Sequence, residues 1–430
     1  MNKLMSMKTE SGRALQRIAR QHRKRRYGIE DSGPVRGKGH RIVLYSHDTM
    51  GVGHMRRNML IARRIKQENP AASILIVAGA REACVFGNSA GIDCLTLPSY
   101  RKSEQGTYSS RSLEIPATDI IQIRAETIHA AVKSFAPDLF IVDKIPPGAG
   151  GELLPSLEWL KQNTACHCVL GLRDILDSPA NVERDWQNMK CRNVIRKLYG
   201  AIWIYGDARL YDATTEYRFP EDICDKTTFT GLLDTRLRLE TDPVEPAFDR
   251  TRPYILCTVG GGQDGRNLAM AFIDAIQTTG QRAIVLTGPF MPDKDRAEIT
   301  RRAENLESVE VVQFASEGDL LIRDAACVVS MGGYNTVAAI LSHRKRALIV
   351  PRVIPRQEQL IRAMRLKELG LVDAIEPDKA TGISIARWLN ATEVRAISPP
   401  QIDLNGLDRI SQLVSSALTP RASNGASING

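Results

Sequence analysis

Four consecutive apolar residues, Ile42-Val43-Leu44-Tyr45, lead directly into Ser46-His47-Asp48-Thr49-Met50-Gly51-Val52-Gly53-His54-Met55-Arg56-Arg57, after which apolar residues recur at helical spacing as far as Gln67. A buried strand that passes through a small-residue loop into a helix is the opening of a strand–helix–strand crossover, and it restricts the chain to an α/β architecture. The loop then lies at the carboxyl edge of a parallel sheet, where open α/β sheets bind ligands. Gly51 and Gly53 allow close backbone approach to a ligand. His54 sits where the helix begins, and imidazole alone titrates unperturbed near neutral pH, which suits a general base. A histidine that only caps the helix, beside glycines that only make the turn, would give the same sequence.

The same grammar runs through the rest of the chain. Ile42–Tyr45, Ile74–Ala78, Leu139–Asp143, Cys168–Leu172, Ala201–Tyr205 and Thr228–Thr230 read as strands, with helical runs between them at Met55–Gln67 and Asp119–Ser134. Prolines 243, 246 and 253 among charges then mark a linker, and the alternation restarts. Its second round has strands at Tyr254–Val259, Ala283–Thr287, Val309–Gln313, Cys327–Ser330 and Ala347–Val350. Two Rossmann-like domains with parallel sheets facing an interdomain cleft follow from this alternation. The expected boundaries are a basic disordered tail over 1–40, an N-terminal domain over 41–235, a linker over 236–252, a C-terminal domain over 253–418 and a disordered end over 419–430.

A formal net charge of +9 suggests a nucleic-acid partner until its distribution is considered. Residues 1–40 hold eleven Lys and Arg against Glu10, Glu30 and Asp31, so eight of the nine net charges lie in that tail and the body is nearly neutral. No specific nucleic-acid binding is expected; the tail instead offers attraction to an anionic membrane surface. No apolar run approaches the roughly 20 residues of a membrane span, and the first 40 residues lack the apolar segment of a signal peptide. Eight scattered cysteines fit reduced thiols and a cytoplasmic setting, peripheral at the inner face of the membrane. Cys166-His167-Cys168 lies in a strand, where alternate side chains diverge, and has no matching second pair, so no metal site is expected there.

Gly260-Gly261-Gly262-Gln263-Asp264-Gly265 fits the dinucleotide pattern G-x-G-x-x-G after a strand, but the next strand ends Val285-Leu286-Thr287 with no carboxylate for a ribose. No nicotinamide or flavin cofactor is therefore expected, and the Lys-Ser/Thr of a P-loop is absent from the motif too. What remains is a glycine turn whose free N–H groups suit a phosphate, with Gly261 and Gly262 as the donor-binding candidates. Ser330-Met331-Gly332-Gly333-Tyr334-Asn335-Thr336 repeats the strand, turn and helix arrangement as a second anion site. The loop after Val350 carries Glu358 and Gln359, which suit sugar hydroxyls. Asp293-Lys294-Asp295 fits a metal-binding D-x-D, but it follows Pro292 and opens a helix, so the carboxylates read as helix caps.

Gly51-x-Gly53-His54-x-x-Arg57 early, Gly332-Gly333-Tyr334-Asn335-Thr336 late, and Glu358-Gln359 followed by Ala363 and Gly370 together resemble the GT-B fold glycosyltransferases. The similar branch holds the peptidoglycan-precursor N-acetylglucosaminyltransferase and the monogalactosyldiacylglycerol synthases, and the resemblance spans about residues 41–415. It implies an inverting, metal-independent transfer from a nucleoside-diphosphate sugar, a UDP-sugar by analogy, to an acceptor hydroxyl, lipid-linked or on a polysaccharide. It implies His54 as base, an acceptor-side loop at Gly51, Gly53 and Arg57, a diphosphate near Gly332 and Gly333 with Asn335 and Thr336 beside them, and a donor sugar near Glu358 and Gln359. One position departs: the family often has a ribose-binding glutamate where this chain has Ala339. A nucleotide-sugar hydrolase or epimerase on the same fold, and a non-catalytic nucleotide-sugar-binding protein, remain as alternatives.

Overall fold

The computed structural model describes residues 39–47, 53–79, 91–102, 108–238, 252–315, 318–391 and 402–419. The expectations for the tail over 1–38, for Gly51, for most of the linker (239–251) and for the end over 420–430 lie outside the described residues.

Among the described residues, nine strands precede residue 239: β1 (Arg41–Ser46), β2 (Ser73–Ala78), β3 (Ile92–Thr96), β4 (Tyr100–Lys102), β5 (Tyr108–Ser110), β6 (Leu139–Asp143), β7 (His167–Arg173), β8 (Ala201–Tyr205) and β9 (Thr227–Phe229). Seven form a parallel sheet in the order β3-β2-β1-β6-β7-β8-β9, while β4 and β5 make a separate antiparallel hairpin. Six more, β10 (Ile255–Thr258), β11 (Ala283–Leu286), β12 (Val309–Val312), β13 (Cys327–Ser330), β14 (Ala347–Ile349) and β15 (Asp373–Ala374), form a second parallel sheet in the order β12-β11-β10-β13-β14-β15. The strands expected from the sequence match to within a residue or two. The unexpected ones, β3, β4, β5 and β15, are short or carry charged residues, and so lack the apolar run that marks a strand buried on both faces.

Each sheet reverses its winding direction once, between β1 and β6 in the first and between β10 and β13 in the second. The loops leaving the carboxyl ends of the strands at such a point diverge and open a crevice. Helix α1 (Gly53–Glu68) follows β1, and α2 (Arg266–Thr279) follows β10. After β13 and β14 come α3 (Tyr334–Ser342) and α4 (Glu358–Glu368), and α5 (Gly406–Leu418) closes the described chain. The glycine-bearing motifs therefore leave strands at the two switch points.

Specific polar pairs join the halves. Arg362 on α4 is completely buried and makes paired hydrogen bonds to Asp174, just beyond β7, with its Nε and Nη2 each 2.6 Å from a carboxylate oxygen. Its Nη1 donates to the Gly332 carbonyl at 3.1 Å. Arg356 bridges to Asp177 and Asp185 at 3.0 and 3.2 Å. One apolar core runs from the first sheet into one face of the second, and a separate cluster fills the opposite face of the second sheet.

One expected boundary is corrected. The C-terminal domain was to extend through 418, but α5 packs against α1 and β6 of the N-terminal half, with Leu407, Ile410 and Val414 buried and Asp408 paired to Arg64 at 3.1 Å. Its apolar stripe fits the N-terminal sheet's flank, which a pattern of hydrophobic spacing cannot reveal. Among the described residues Cys166, Cys168, Cys191, Cys224, Cys257 and Cys327 are free thiols.

The buried Arg362–Asp174 pair yields the first prediction. Removing one member leaves the other charge buried and uncompensated, at a cost of about 3–5 kcal/mol. Asp174→Ala should show that loss in urea unfolding of the full chain, and Arg362→Met added to Asp174→Leu should recover most of it. A loss under about 1 kcal/mol for the single variant would mean that the pair contributes little to stability.

Candidate active site

His54, in the first turn of α1, and Asp143, the last residue of β6, come from opposite sides of the first switch point. His54 Nδ1 lies 2.5 Å from Asp143 Oδ2. The other carboxylate oxygen, Oδ1, accepts from Arg57 Nη2 at 2.5 Å. Arg57 Nη2 is also 2.9 Å from His54 Nδ1. Since Nδ1 faces both a carboxylate and a donor, the carboxylate decides its tautomer: Nδ1 carries the proton, and Nε2 holds the lone pair. That is the tautomer a general base requires, held as in other acid-oriented histidines.

The protonation state follows from the surroundings. Burial lowers the His54 pKa, Asp143 pulls it up, Arg57 and Lys144 push it down, and the balance leaves it at about 4. The positive end of α1 acts in the same direction. Asp143 is buried, which alone would raise its pKa, yet Arg57 and His54 outweigh burial and hold it well below the carboxylate range. His47, at the end of β1, is buried edge-on to His54 with ring centroids 5.8 Å apart, and burial keeps it neutral as well. Sequence reasoning assigned no role to Asp143 or His47. The polar end of a buried strand was the signal available for Asp143.

Arg57 ties the halves together. Its guanidinium lies 5.7 Å from the ring of Tyr205 at the end of β8 and 5.6 Å from the ring of Tyr334 on α3, within cation–π range of both. Beside it, Asn335 Nδ2 donates across the cleft to the Gly53 carbonyl at 2.8 Å. Gly53 eases that approach, since a Cβ there would stand 3.3 Å from the Asn335 amide and the amide would have to shift slightly.

The cleft between the sheet edges has a volume of about 300 Å³. It is lined by Gly53, His54 and Arg57 from the N-terminal half and by Gly261, Gly262, Gly332, Gly333, Asn335, Thr336, Glu358 and Gln359 from the C-terminal half. The structure thus brings to one cleft the described residues that the sequence offered as base, acceptor loop and donor site. The glycines differ in kind. Gly332, with φ +82°, and Gly262, with φ +95°, adopt left-handed backbone, and a Cβ at either would collide with Ile349 or with the Thr287 carbonyl. Gly333 has ordinary extended backbone, caps α3, and faces open space, with no atom within 4 Å of an added Cβ. Gly262 does not itself cap a helix: α2 begins four residues on, behind Gly265.

Glu358 opens α4 and is 3% exposed. Its Oε1 accepts from Arg352 at 2.9 Å and lies 3.7 Å from Arg173, whereas the buried Oε2 has no hydrogen-bond partner. Burial would raise its pKa, but Arg173, Arg352, Arg362 and Lys144 lower it to about 2. A buried anionic oxygen without a donor is costly, and a sugar hydroxyl would satisfy it. Gln359 is held by accepting from the Arg352 backbone N–H at 3.1 Å. Ala339 is fully buried on α3 and does not line the cleft. Asp293 and Asp295 lie in the first turn of the helix Asp293–Ala303, where Asp293 pairs with Arg296; neither is the N-cap, which is Pro292, and no side chain makes a capping hydrogen bond, so they act there only as first-turn acidic charges. Among the described residues no cluster of three His, Cys, Asp or Glu is arranged to hold a metal, and no helix is long and apolar enough to cross a membrane.

The protonation analysis gives the second prediction. His54 should stay neutral in the native protein until the pH falls to about 4, as read from imidazole NMR shifts assigned with His54→Gln. An unfolded histidine takes its proton near 6.5, so the native state loses stability as pH drops from about 6.5 towards 4, and His54→Gln should flatten that part of the slope. A native midpoint at or above 6.5 would refute the burial argument.

Comparison with known proteins bears on the architecture. Residues 255–390 match the family model of the glycosyltransferase family 28 C-terminal domain. No curated protein matches the chain by sequence. Among solved structures, the chain is similar to the glycotransferase of kitacinnamycin, at 12% identity and TM-score 0.58 over 89% of this chain and 100% of the other. It is similar to MurG of Acinetobacter baumannii at 13% identity and TM-score 0.54, over 88% and 99%. It also resembles the UDP-GlcNAc 2-epimerase of Neisseria meningitidis bound to UDP-GlcNAc, at 13% identity and TM-score 0.58, over 88% and 98%. The described body of this chain therefore has the two-domain GT-B fold, and residues 255–390 are similar to the glycosyltransferase family 28 C-terminal domain.

Proposed function

We propose that the chain is an inverting glycosyltransferase that moves a hexosyl group from a nucleoside-diphosphate sugar, a UDP-sugar by analogy with its structural neighbours, to an acceptor hydroxyl. The observation that carries this reading is the His54–Asp143 pair facing the glycine turns and Glu358 across one cleft. In this mechanism His54 Nε2 accepts the proton of the acceptor hydroxyl while that oxygen forms the new bond to the anomeric carbon. The bond from the anomeric carbon to the diphosphate oxygen breaks from the opposite face, its electron pair leaving with the diphosphate. Asp143 stabilises the imidazolium that results. The N–H groups at the start of α3, beyond Gly333, stabilise the leaving group without a metal, as oriented dipoles do. Glu358 Oε2 and Gln359 hold the hydroxyls of the donor sugar, and the turn at Gly261 and Gly262 borders the nucleotide. The basic residues 1–40 add attraction to anionic lipid at the membrane's inner face, which suits a lipid-linked acceptor.

A second reading rests on the epimerase likeness, whose TM-score matches that of the kitacinnamycin enzyme. In a hydrolase or epimerase no acceptor hydroxyl is needed. Incubation with a panel of nucleotide-sugars separates the two: turnover that requires a lipid or polysaccharide acceptor supports transfer, and turnover in water alone supports the rival. Binding without turnover under either condition would favour a non-catalytic nucleotide-sugar-binding protein.

Two predictions follow from the mechanism. His54→Ala should lower turnover by about a hundredfold or more while donor affinity stays within a few-fold, since the base acts only in the transition state. Retention of more than about a tenth of wild-type turnover would remove His54 from that role. Gly333→Val fits the backbone but fills the cleft where the diphosphate would lie, so it should weaken nucleoside-diphosphate binding much more than nucleoside binding, with little loss of stability. Chelation with EDTA should leave wild-type activity unchanged, and activity lost to EDTA and restored by a divalent ion would overturn the metal-free cradle.

A further inference from the structure

Most of the arginines around the cleft are matched to a carboxylate. Arg57 has Asp143, Arg362 has Asp174, Arg238 has Asp319 at 2.8 Å, and Arg352 has Glu358 together with Asp264 at 3.2 Å. Arg173 is different. It is the last residue of β7, enters the cleft from the N-terminal half, and reaches only Glu358 at 3.7 Å, on the oxygen that Arg352 already occupies at 2.9 Å. Its Nη2 also approaches the Leu176 carbonyl at 3.4 Å. Its Nε is buried without any hydrogen-bond partner. The side chain is 13% exposed, so water does not compensate for the missing anion. Burial disfavours its charge most; Glu358 and, more weakly, Asp174 favour it, but Arg362 and Arg57 stand near enough to work against it, and the balance lowers its pKa.

A guanidinium is too basic to relieve this by losing its proton. It stays a cation with a fork of donors, and what suits that fork is a planar or tetrahedral oxyanion. From this geometry we propose that Arg173 is a donor-binding residue contributed by the opposite half of the molecule, holding an anionic oxygen group of the nucleotide-sugar beside Glu358. Two groups have that chemistry: a phosphate oxygen of the departing diphosphate and a carboxylate on the transferred sugar. The inference rests on the nucleotide-sugar reading above and deepens it. It also gives the contact across the cleft a purpose, since a donor bound mainly by the second sheet's turns would draw the end of β7 towards it and complete the site only in the closed arrangement.

The test is calorimetric titration of the full chain and of its Arg173→Gln and Arg173→Lys variants. UDP, GDP, ADP and dTDP are screened first on the wild type. The one that binds best is then compared with its nucleoside, and its glucose and glucuronate conjugates are compared with each other. If the oxyanion is the diphosphate, Arg173→Gln loses about tenfold or more of the preference for nucleoside diphosphate over nucleoside, and nucleoside affinity is unchanged. If it is a sugar carboxylate, that preference survives and the variant instead loses a wild-type preference for the glucuronate conjugate. In both cases Arg173→Lys, which keeps the charge, retains part of what Arg173→Gln loses. A variant whose only defect is disturbance of Glu358 would not show this charge rescue. Should Arg173→Lys keep the native fold and both preferences match wild type in Arg173→Gln, the clamp is wrong while the nucleotide-sugar reading stands. Should no nucleoside diphosphate bind the wild type, both fall together.

Discussion

Both oxygens of Asp143 are engaged, one by an imidazole and one by a guanidinium, and the arrangement of the cleft depends on that division. The hydrogen bond from His54 Nδ1 sets which ring nitrogen is basic. The bond from Arg57 keeps the carboxylate ionised in a buried place, where it would otherwise take up a proton. Arg57 can remain there because aromatic rings from both halves flank it, Tyr205 from the first sheet and Tyr334 from the second. The protonation state of the proposed base is therefore coupled to the way the halves meet. A change in the packing of Tyr334 would be felt at His54, although the two residues belong to different sheets.

The two switch points explain why so much of the function converges on a few loops. Each sheet is wound outward in both directions from a central pair of strands, and the loops leaving that pair part company. Facing the two crevices towards each other puts the proposed base, His54, on one wall and the glycine turns on the other. Neither wall is a site by itself. The first lacks the glycine turns and Glu358, and the second lacks His54.

Local pattern made the architecture and one half of this chemistry legible. Buried parallel strands are continuous apolar runs, so β1, β2, β6, β10 and β13 stood out, and glycines at strand ends marked the turns. The short or charge-bearing strands β3, β4, β5 and β15 did not, because partial burial leaves no such run. Pairwise geometry was the illegible part. Asp143 lies 89 residues from His54, and Asn335 lies 282 residues from Gly53, so nothing in their local context signals either contact. Arg173 is one arginine among many until its neighbours' carboxylates are seen to be occupied. Ala339, noted as a departure from the family, turns out to fill core space, and its small size is accounted for there by packing.

The return of α5 to the N-terminal half has a consequence for how the molecule is made. The flank formed by α1 and β6 is covered by residues near the end of the described chain, so the half that is synthesised first is completed last. Without Leu407, Ile410 and Val414 that flank would present apolar surface to solvent, so folding domain by domain during synthesis would leave the first half one helix short. Cutting between the two sheets would not release two independent modules, because the piece carrying the second sheet would take with it the cover of the first. The fold is bipartite in its sheets, yet the flank of the first sheet is closed only by a helix that lies beyond the second in the chain.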